Sequence, residues 1–361
     1  MNKSSTGRFF EDFTLDEVIR HGTPRTITAG DVSLYIALTG SRFVLHSAAP
    51  VAGAIGFEDT PVDDMLVFHI AFGKTVPDIS LNAVANLGYA EVRFLAPVFV
   101  GDTLFVSSRV IGLKENSNGT TGIVYVRSSA YNQHGDKVLS WVRWVMVAKR
   151  EASQPMEPAV VPTLSTMVSA EHLNVAPHTD FRRLGASLTG SDLTWQDYQV
   201  GEWIDHVDGV TVDEAEHVMA TRLYQNTAQV HFNEHRMQNS RFGRRLVYGG
   251  HVMSLARALS HNGLANAVQI LAMNGGSHMA PTFAGDTLYA ASRVLDKWPI
   301  HGRDDCAALR LETVVRKNSP VHRNEHGAPL NSDTAPLVLT WDYTVLVPTR
   351  LDSMPIVSAW E

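Results

Sequence analysis

The feature that most constrains this chain is an internal repeat. Residues 96–110 read APVFVGDTLFVSSRV and residues 280–294 read APTFAGDTLYAASRV, identical at ten of fifteen positions without a gap. Upstream, Asp12-Phe13, Leu15, Glu17, Ile19 and His21 align with Asp197-Tyr198, Val200, Glu202, Ile204 and His206, and Asn82-Ala83-Val84 aligns with Asn266-Ala267-Val268. The offset is 185 residues at the start and 184 later, so the order of elements is kept. Three matches in register imply two halves built on one plan. Such halves are expected to pack about a pseudo-twofold axis, like an isologous dimer fused into one polypeptide. The expected division is a first domain over residues 1–150, a linker over 151–195 and a second domain over 196–361. The linker opens with EASQPMEPAVVPTLSTM, rich in Pro, Ser and small residues after an apolar strand.

Composition narrows the class. A length of 361 residues suits two domains, and 44% hydrophobic with 19% charged residues is ordinary for a globular protein. No apolar run approaches the roughly 18–20 residues of a membrane span. The N-terminus, MNKSSTGRFFEDF, has no apolar signal core. The single cysteine, Cys306, excludes an intrachain disulfide. A cytoplasmic setting is therefore expected, with no membrane partner. A net charge of −7 spread along the chain argues against nucleic acid as a partner.

Periodicity supplies the elements. Gly250 to Ala258 carries apolar residues at helical spacing, with Val252, Leu255 and Ala256 followed by Leu259, and Asn262-Gly263 as a stop. Strands are expected over 105–113, 122–131 and 138–149, and again over 286–295, 308–317 and 338–347. A long turn, Asn318 to Asp333, separates the last two. One long helix and then antiparallel strands in each half predicts an α+β fold, a helix laid on a curved sheet.

This order of elements, with the step F-x-x-P-V-x-x-G-D-T-L after the helix, resembles the MaoC-like hot-dog dehydratases, which include the (R)-specific enoyl-CoA hydratases. The resemblance implies a tandem (double) hot-dog fold, each half a long central helix wrapped by an antiparallel sheet. The family pattern Leu-Ser/Thr-Gly-Asp-x-Asn-Pro-Leu-His falls on Leu38 to His46 and on Leu223 to His231. More narrowly, FGKTVPDISLNAVANLGYAE, GLKENSNG, TRLYQNTAQVHFN and RRLVYGGHVMSLAR are similar to mesaconyl-CoA hydratases, also called β-methylmalyl-CoA dehydratases. That similarity implies reversible hydration of a branched dicarboxylic acyl-CoA, with the CoA thioester as substrate, no cofactor, no metal, and a homodimer or higher homo-oligomer. A general (R)-specific enoyl-CoA hydratase and an acyl-CoA thioesterase are the alternatives. The chain departs from the pattern at one point that matters. The aspartate position is Ser41 in one half and Asn226 in the other, and the asparagine position is Phe43 or Ala228. The group that replaces the acid stays open.

Hydrating an α,β-unsaturated thioester makes three demands. Water must be deprotonated as it attacks the β-carbon, a proton must reach the α-carbon, and the thioester oxygen, gaining enolate charge, needs fixed donors. A histidine suits the first two. Unpaired N–H groups at a helix N-terminus suit the third. The second half offers His231 as base and acid, Asn226 to orient water, and Gly249-Gly250 to let the oxygen approach the start of the central helix. The first half offers His46, but its helix opens through Val62-Asp63-Asp64-Met65 without glycine. It is therefore expected to be scaffold and acyl pocket, with His46, Asp63 and Asp64 as second-choice catalytic groups. Arg42, Arg222, Arg244 and Arg245, the last two in a basic cluster with Arg241, are candidates for the CoA phosphates or a substrate carboxylate. His231-Phe-Asn-Glu234-His235 spells a metallopeptidase-like His-x-x-Glu-His, but such a site would need a helix and a distant third ligand. A thioesterase usually needs a carboxylate to activate water, and neither signature loop supplies one.

Overall fold

The computed structural model describes residues 3–152, 158–321 and 336–352. Most of the long turn expected at Asn318 to Asp333 lies outside them, as does part of the linker. Eleven strands form one sheet: β1 (Val18–Arg20), β2 (Arg25–Thr26), β3 (Ala83–Phe94), β4 (Thr103–Glu115), β5 (Thr121–Tyr131), β6 (Lys137–Ala148), β7 (Trp203–Thr211), β8 (Gln269–His278), β9 (Thr287–Pro299), β10 (Cys306–Lys317) and β11 (Leu337–Pro348). Their order is β1-β4-β5-β6-β3-β8-β11-β10-β9-β7, with β2 beside β4. The sheet reads the same from either end. Each half contributes a short edge strand, then three long strands, then the strand that meets the other half. This is the double hot-dog architecture, the sequence repeat seen as a repeat of strands.

The halves join where β3 pairs antiparallel with β8, Val92 opposite Met273 and Arg93 opposite Ala272. The six long strands anticipated from β-branched and aromatic alternation are all present. The two joining strands were missed. AVANLGYAEVRF and QILAMNGGSH carry Gly, Ala and Asn, which are poor intrinsic strand formers, and they extend because each is paired on both sides.

The two central helices, Asp64–Thr75 and Gly249–Leu259, face each other across the pseudo-twofold. Their contact is partly polar: His69 Nε2 meets Ser254 Oγ at 3.0 Å, and Tyr35 donates its hydroxyl to the same oxygen at 3.1 Å. Around them one apolar core runs through both halves, from Leu66, Phe68 and Trp141 to Val252, Leu255 and Trp341. The repeated histidines prove structural. His21 and His206 are buried and bonded to Ser108 and Ser292, each at 2.8 Å, holding edge strand to neighbour in both halves.

Candidate active site

A pocket of about 280 Å³ opens beside the start of the helix Gly249–Leu259. One wall comes from the second half: Asn226, His231, Tyr248, Gly249 and His278. The other comes from the first half: Phe72, Ser80, Asn86, Tyr89 and Arg143. The first half therefore lines the pocket, because the sheet junction sets β3 beside β8, whose last residue, His278, is in the other wall.

The residues expected in the second half converge here. His231 ends a short 3-10 turn, Gln229–His231, and its Nδ1 donates to the Leu246 carbonyl at 3.0 Å. That bond fixes the tautomer, so Nε2 carries the free lone pair. Its ring packs edge-on to Tyr248, 5.5 Å between centroids. Crowding by the wall desolvates the imidazole and pulls it down to about 4, with the neighbouring His217 and His278 acting in the same direction. Asn226 is buried, and its side-chain carbonyl accepts from the Ala228 N–H at 3.0 Å, which leaves its amide N–H groups for the pocket. The helix starts at Gly249, and neither the Gly249 nor the Gly250 N–H has a backbone partner among the described residues. Of the two, Gly249 lines the pocket and offers the kind of donor that a developing oxyanion needs, while Gly250 is buried beside Tyr248 and His69.

His278 belongs to the site and was missed. It ends β8, and its ring faces the pocket against Tyr89, 6.3 Å between centroids. The surrounding wall lowers it from the ordinary imidazole value, although the residue keeps an exposed face at the end of the strand. A Cβ on Gly249 would lie 2.5 Å from His278 Cε1, so the glycine makes room for the imidazole as well as for a ligand. The signal was legible in the repeat. At the 184-residue offset His278 stands where the first half has Phe94, so only one half carries an imidazole there. Gly249→Ala is therefore expected to push His278 out of place and to lower kcat/KM by roughly 10²-fold, the scale of a misplaced reacting group. Steady-state kinetics beside a thermal melt checks this. A folded variant within twofold of the parent would refute the role of Gly249.

The matching place in the first half is filled. His46 Nδ1 meets the Pro61 carbonyl at 3.0 Å, as His231 meets Leu246, but His46 Nε2 is also taken, by the Val268 carbonyl at 3.1 Å. Asp64 stands where Gly249 stands in the other half. It is half-buried, desolvation raises its pKa to about 7, and it accepts from the Ile270 N–H at 2.8 Å. Asp63 caps its helix, accepting from the Met65 N–H at 2.9 Å. All three second-choice groups thus serve packing, away from the pocket.

The arginines need correction. Arg245 is spent on ion pairs with Glu214 and Glu234. Arg42 is exposed and lines no part of the pocket. Arg222 is exposed beside a different depression, shared with Lys74 and Gln225. Arg244 is exposed and lies 3.9 Å over the Phe283 ring, and Arg241 stacks on Phe242 at the pocket wall. Loop residues gave no clue to partners that are distant in sequence. The His-x-x-Glu-His pattern also dissolves, because Glu234 pairs with Arg245, and no group of three His, Cys, Asp or Glu side chains converges among the described residues. No carboxylate lines the pocket among the described residues.

A pocket at a helix N-terminus, walled by both halves of a tandem hot-dog fold and holding two imidazoles, is the arrangement of a double hot-dog dehydratase. The fold is shared with a MaoC domain protein dehydratase from Chloroflexus aurantiacus, with a TM-score of 0.90, 54% identity, and coverage of 97% of this chain and 100% of the other. It is shared with a double-hotdog protein of Mycobacterium tuberculosis at a TM-score of 0.77 and 25% identity, covering 95% and 99% of the two chains. The mesaconyl-CoA hydratase family model matches residues 1–331, and the chain belongs to that family of hydro-lyases. It is 55% identical to the β-methylmalyl-CoA dehydratase of Chloroflexus aurantiacus, over 96% of this chain and 99% of the other. It is 52% identical to the mesaconyl-CoA hydratase of Cereibacter sphaeroides, over 96% and 99%.

Proposed function

We propose that this enzyme reversibly adds water to mesaconyl-CoA (2-methylfumaryl-CoA) to give β-methylmalyl-CoA. The observation that carries the reading is the pocket itself, where a free His231 Nε2 and the unpaired Gly249 N–H belong to one site. The thioester oxygen lies on the helix-start N–H groups, which hold the charge that develops as the enolate forms. A water accepts from the Asn226 amide and gives its proton to His231 Nε2 as its oxygen attacks the β-carbon. The proton then passes to the α-carbon, so that water adds across the double bond with nothing left over. His278 is the second imidazole able to hold that proton. Both rings rest neutral at physiological pH, as a base must.

The phosphate end of CoA leaves past the rim at Phe242 and Phe283, where Arg241 and Arg244 stack. A cytoplasmic setting is part of the same proposal, and a single, buried, free thiol at Cys306 supports it. So is a homo-oligomer, supported by the exposed Val207 on edge strand β7.

The test is direct. With mesaconyl-CoA, the conjugated-thioester ultraviolet band is expected to disappear without release of free thiol. Free thiol would make the protein a thioesterase, and no change in either signal would make it a non-catalytic acyl-CoA binder.

A further inference from the structure

The floor of the pocket carries a charge that the fold leaves without a counter-ion. Arg143 lies on β6, opposite Tyr89 on β3, and is fully buried. Its Nη2 reaches Ser80 Oγ at 3.4 Å, and its guanidinium lies 4.3 Å over the Phe72 ring. Nε and Nη1 have no partner, and no carboxylate pairs with it among the described residues. Asn86, earlier on β3 and also in the wall, has both its side-chain nitrogen and oxygen unpaired. A dry cation costs free energy unless an anion meets it, and stacking on one aromatic face offsets only part of that cost. Burial lowers the guanidinium to about 10, so it stays charged at neutral pH.

The repeat provides an internal control. Tyr89 corresponds to Met273 at the 184-residue offset, and Met273 pairs with Tyr343 on β11. The second half thus has a phenol where the first has a guanidinium, and that phenol is satisfied, accepting from Thr313 Oγ1 at 3.0 Å. The unpaired cation is therefore not something that the fold requires.

Its position relative to the imidazoles follows from the aromatic layer. Phe72, under Arg143, packs on Tyr248 at 6.0 Å and on Tyr89 at 5.9 Å between centroids. Tyr248 touches His231 and Tyr89 touches His278. By these contacts two aromatic rings separate the guanidinium from each imidazole, and all three side chains line the one pocket. In mesaconyl-CoA the carboxylate is bonded to the very carbon that water attacks, so it stays in the pocket that the cation and the imidazoles line together.

We propose that Arg143, with Ser80 and Asn86, forms the subsite that binds the terminal carboxylate of the acyl chain and so selects enoyl thioesters bearing a carboxylate on the β-carbon. This rests on the hydratase reading above. Arg143 acts twice. It repays the desolvation of the carboxylate. It also withdraws electron density from a β-carbon that a free carboxylate would make a poorer electrophile.

The test is kcat/KM for mesaconyl-CoA and for 2-methylcrotonyl-CoA, in which a methyl replaces the carboxylate, with the parent, Arg143→Met and Asn86→Ala. The parent is expected to prefer the dicarboxylate by more than roughly tenfold. Arg143→Met should lower the ratio of the two values by about 30-fold or more, the scale of one broken buried charge pair. Asn86→Ala should lower it less, in the same direction. A folded Arg143→Met that loses both activities in parallel, with the ratio kept, would make Arg143 structural and overturn the subsite. If Arg143→Met does not fold, the Asn86→Ala ratio decides, and an unchanged ratio overturns it. A parent that hydrates both thioesters equally overturns the subsite and leaves the hydratase standing. A parent that hydrates neither removes the hydratase reading and the subsite with it.

Discussion

His231→Ala is expected to lower kcat/KM for hydration by about 10²–10⁴-fold, the usual contribution of a general acid–base group. Fold and melting temperature should change little, because the ring stands in a pocket wall and its one hydrogen bond goes to a loop carbonyl. His46→Ala should behave in the opposite way. It removes a buried ring that bridges the Pro61 and Val268 carbonyls, so it should destabilise the protein while leaving the kinetics of the folded fraction close to the parent's. The pair of variants separates two histidines at equivalent places in the repeat. A His231→Ala enzyme with more than half the parent's activity, or a reversed order of the two, would move the active site to the first half.

The second large effect concerns acid. His69 and His251 are fully buried, and burial pulls each down to about 3. Unfolded, each would titrate near its ordinary value of about 6.5. Below that value the unfolded chain binds protons that the folded one refuses, so stability falls as pH drops from about 6.5 toward 3. At pH 4 the loss is about 3 kcal/mol for each of the two. Asp64 works the other way. Its carboxyl is raised to about 7 by burial, so acidification relieves it and offsets about one of these histidines. His21, His217, His231, His261 and His278 are all lowered as well and add to the loss. Against a typical total of about 5–15 kcal/mol, the net effect is large. Urea midpoints measured from pH 8 to pH 4.5 are expected to fall steeply below pH 6.5. A flat midpoint over that range would show that the buried imidazoles are protonated in the folded state.

Both expectations trace back to one sequence position or another, but they were not equally legible. The repeat announced the tandem fold. Three in-register matches require two copies of one supersecondary plan, and strand alternation located the six long strands. His231, Asn226 and Gly249-Gly250 could be placed together because a loop and the helix that follows it are neighbours along the chain, and local geometry carries most of their arrangement. His278 was within reach of the same logic, as the residue that breaks the repeat at Phe94.

The sequence by itself therefore determined the duplication, the elements that alternate clearly, and which half brings His231, Asn226 and Gly249 to one pocket, since these depend on periodicity and short-range order. Only the tertiary structure decided that β3 and β8 are strands, because pairing on two sides overrides the weak strand propensity of Gly, Ala and Asn. Only it showed His46 closed off by the Val268 carbonyl and Arg245 held by Glu214 and Glu234. Only it carried Arg143 from a strand of the first half into one pocket with two histidines of the second. Whether a cation is paired or unpaired depends on what lies across space from it, and that information exists only once the two halves have closed on each other.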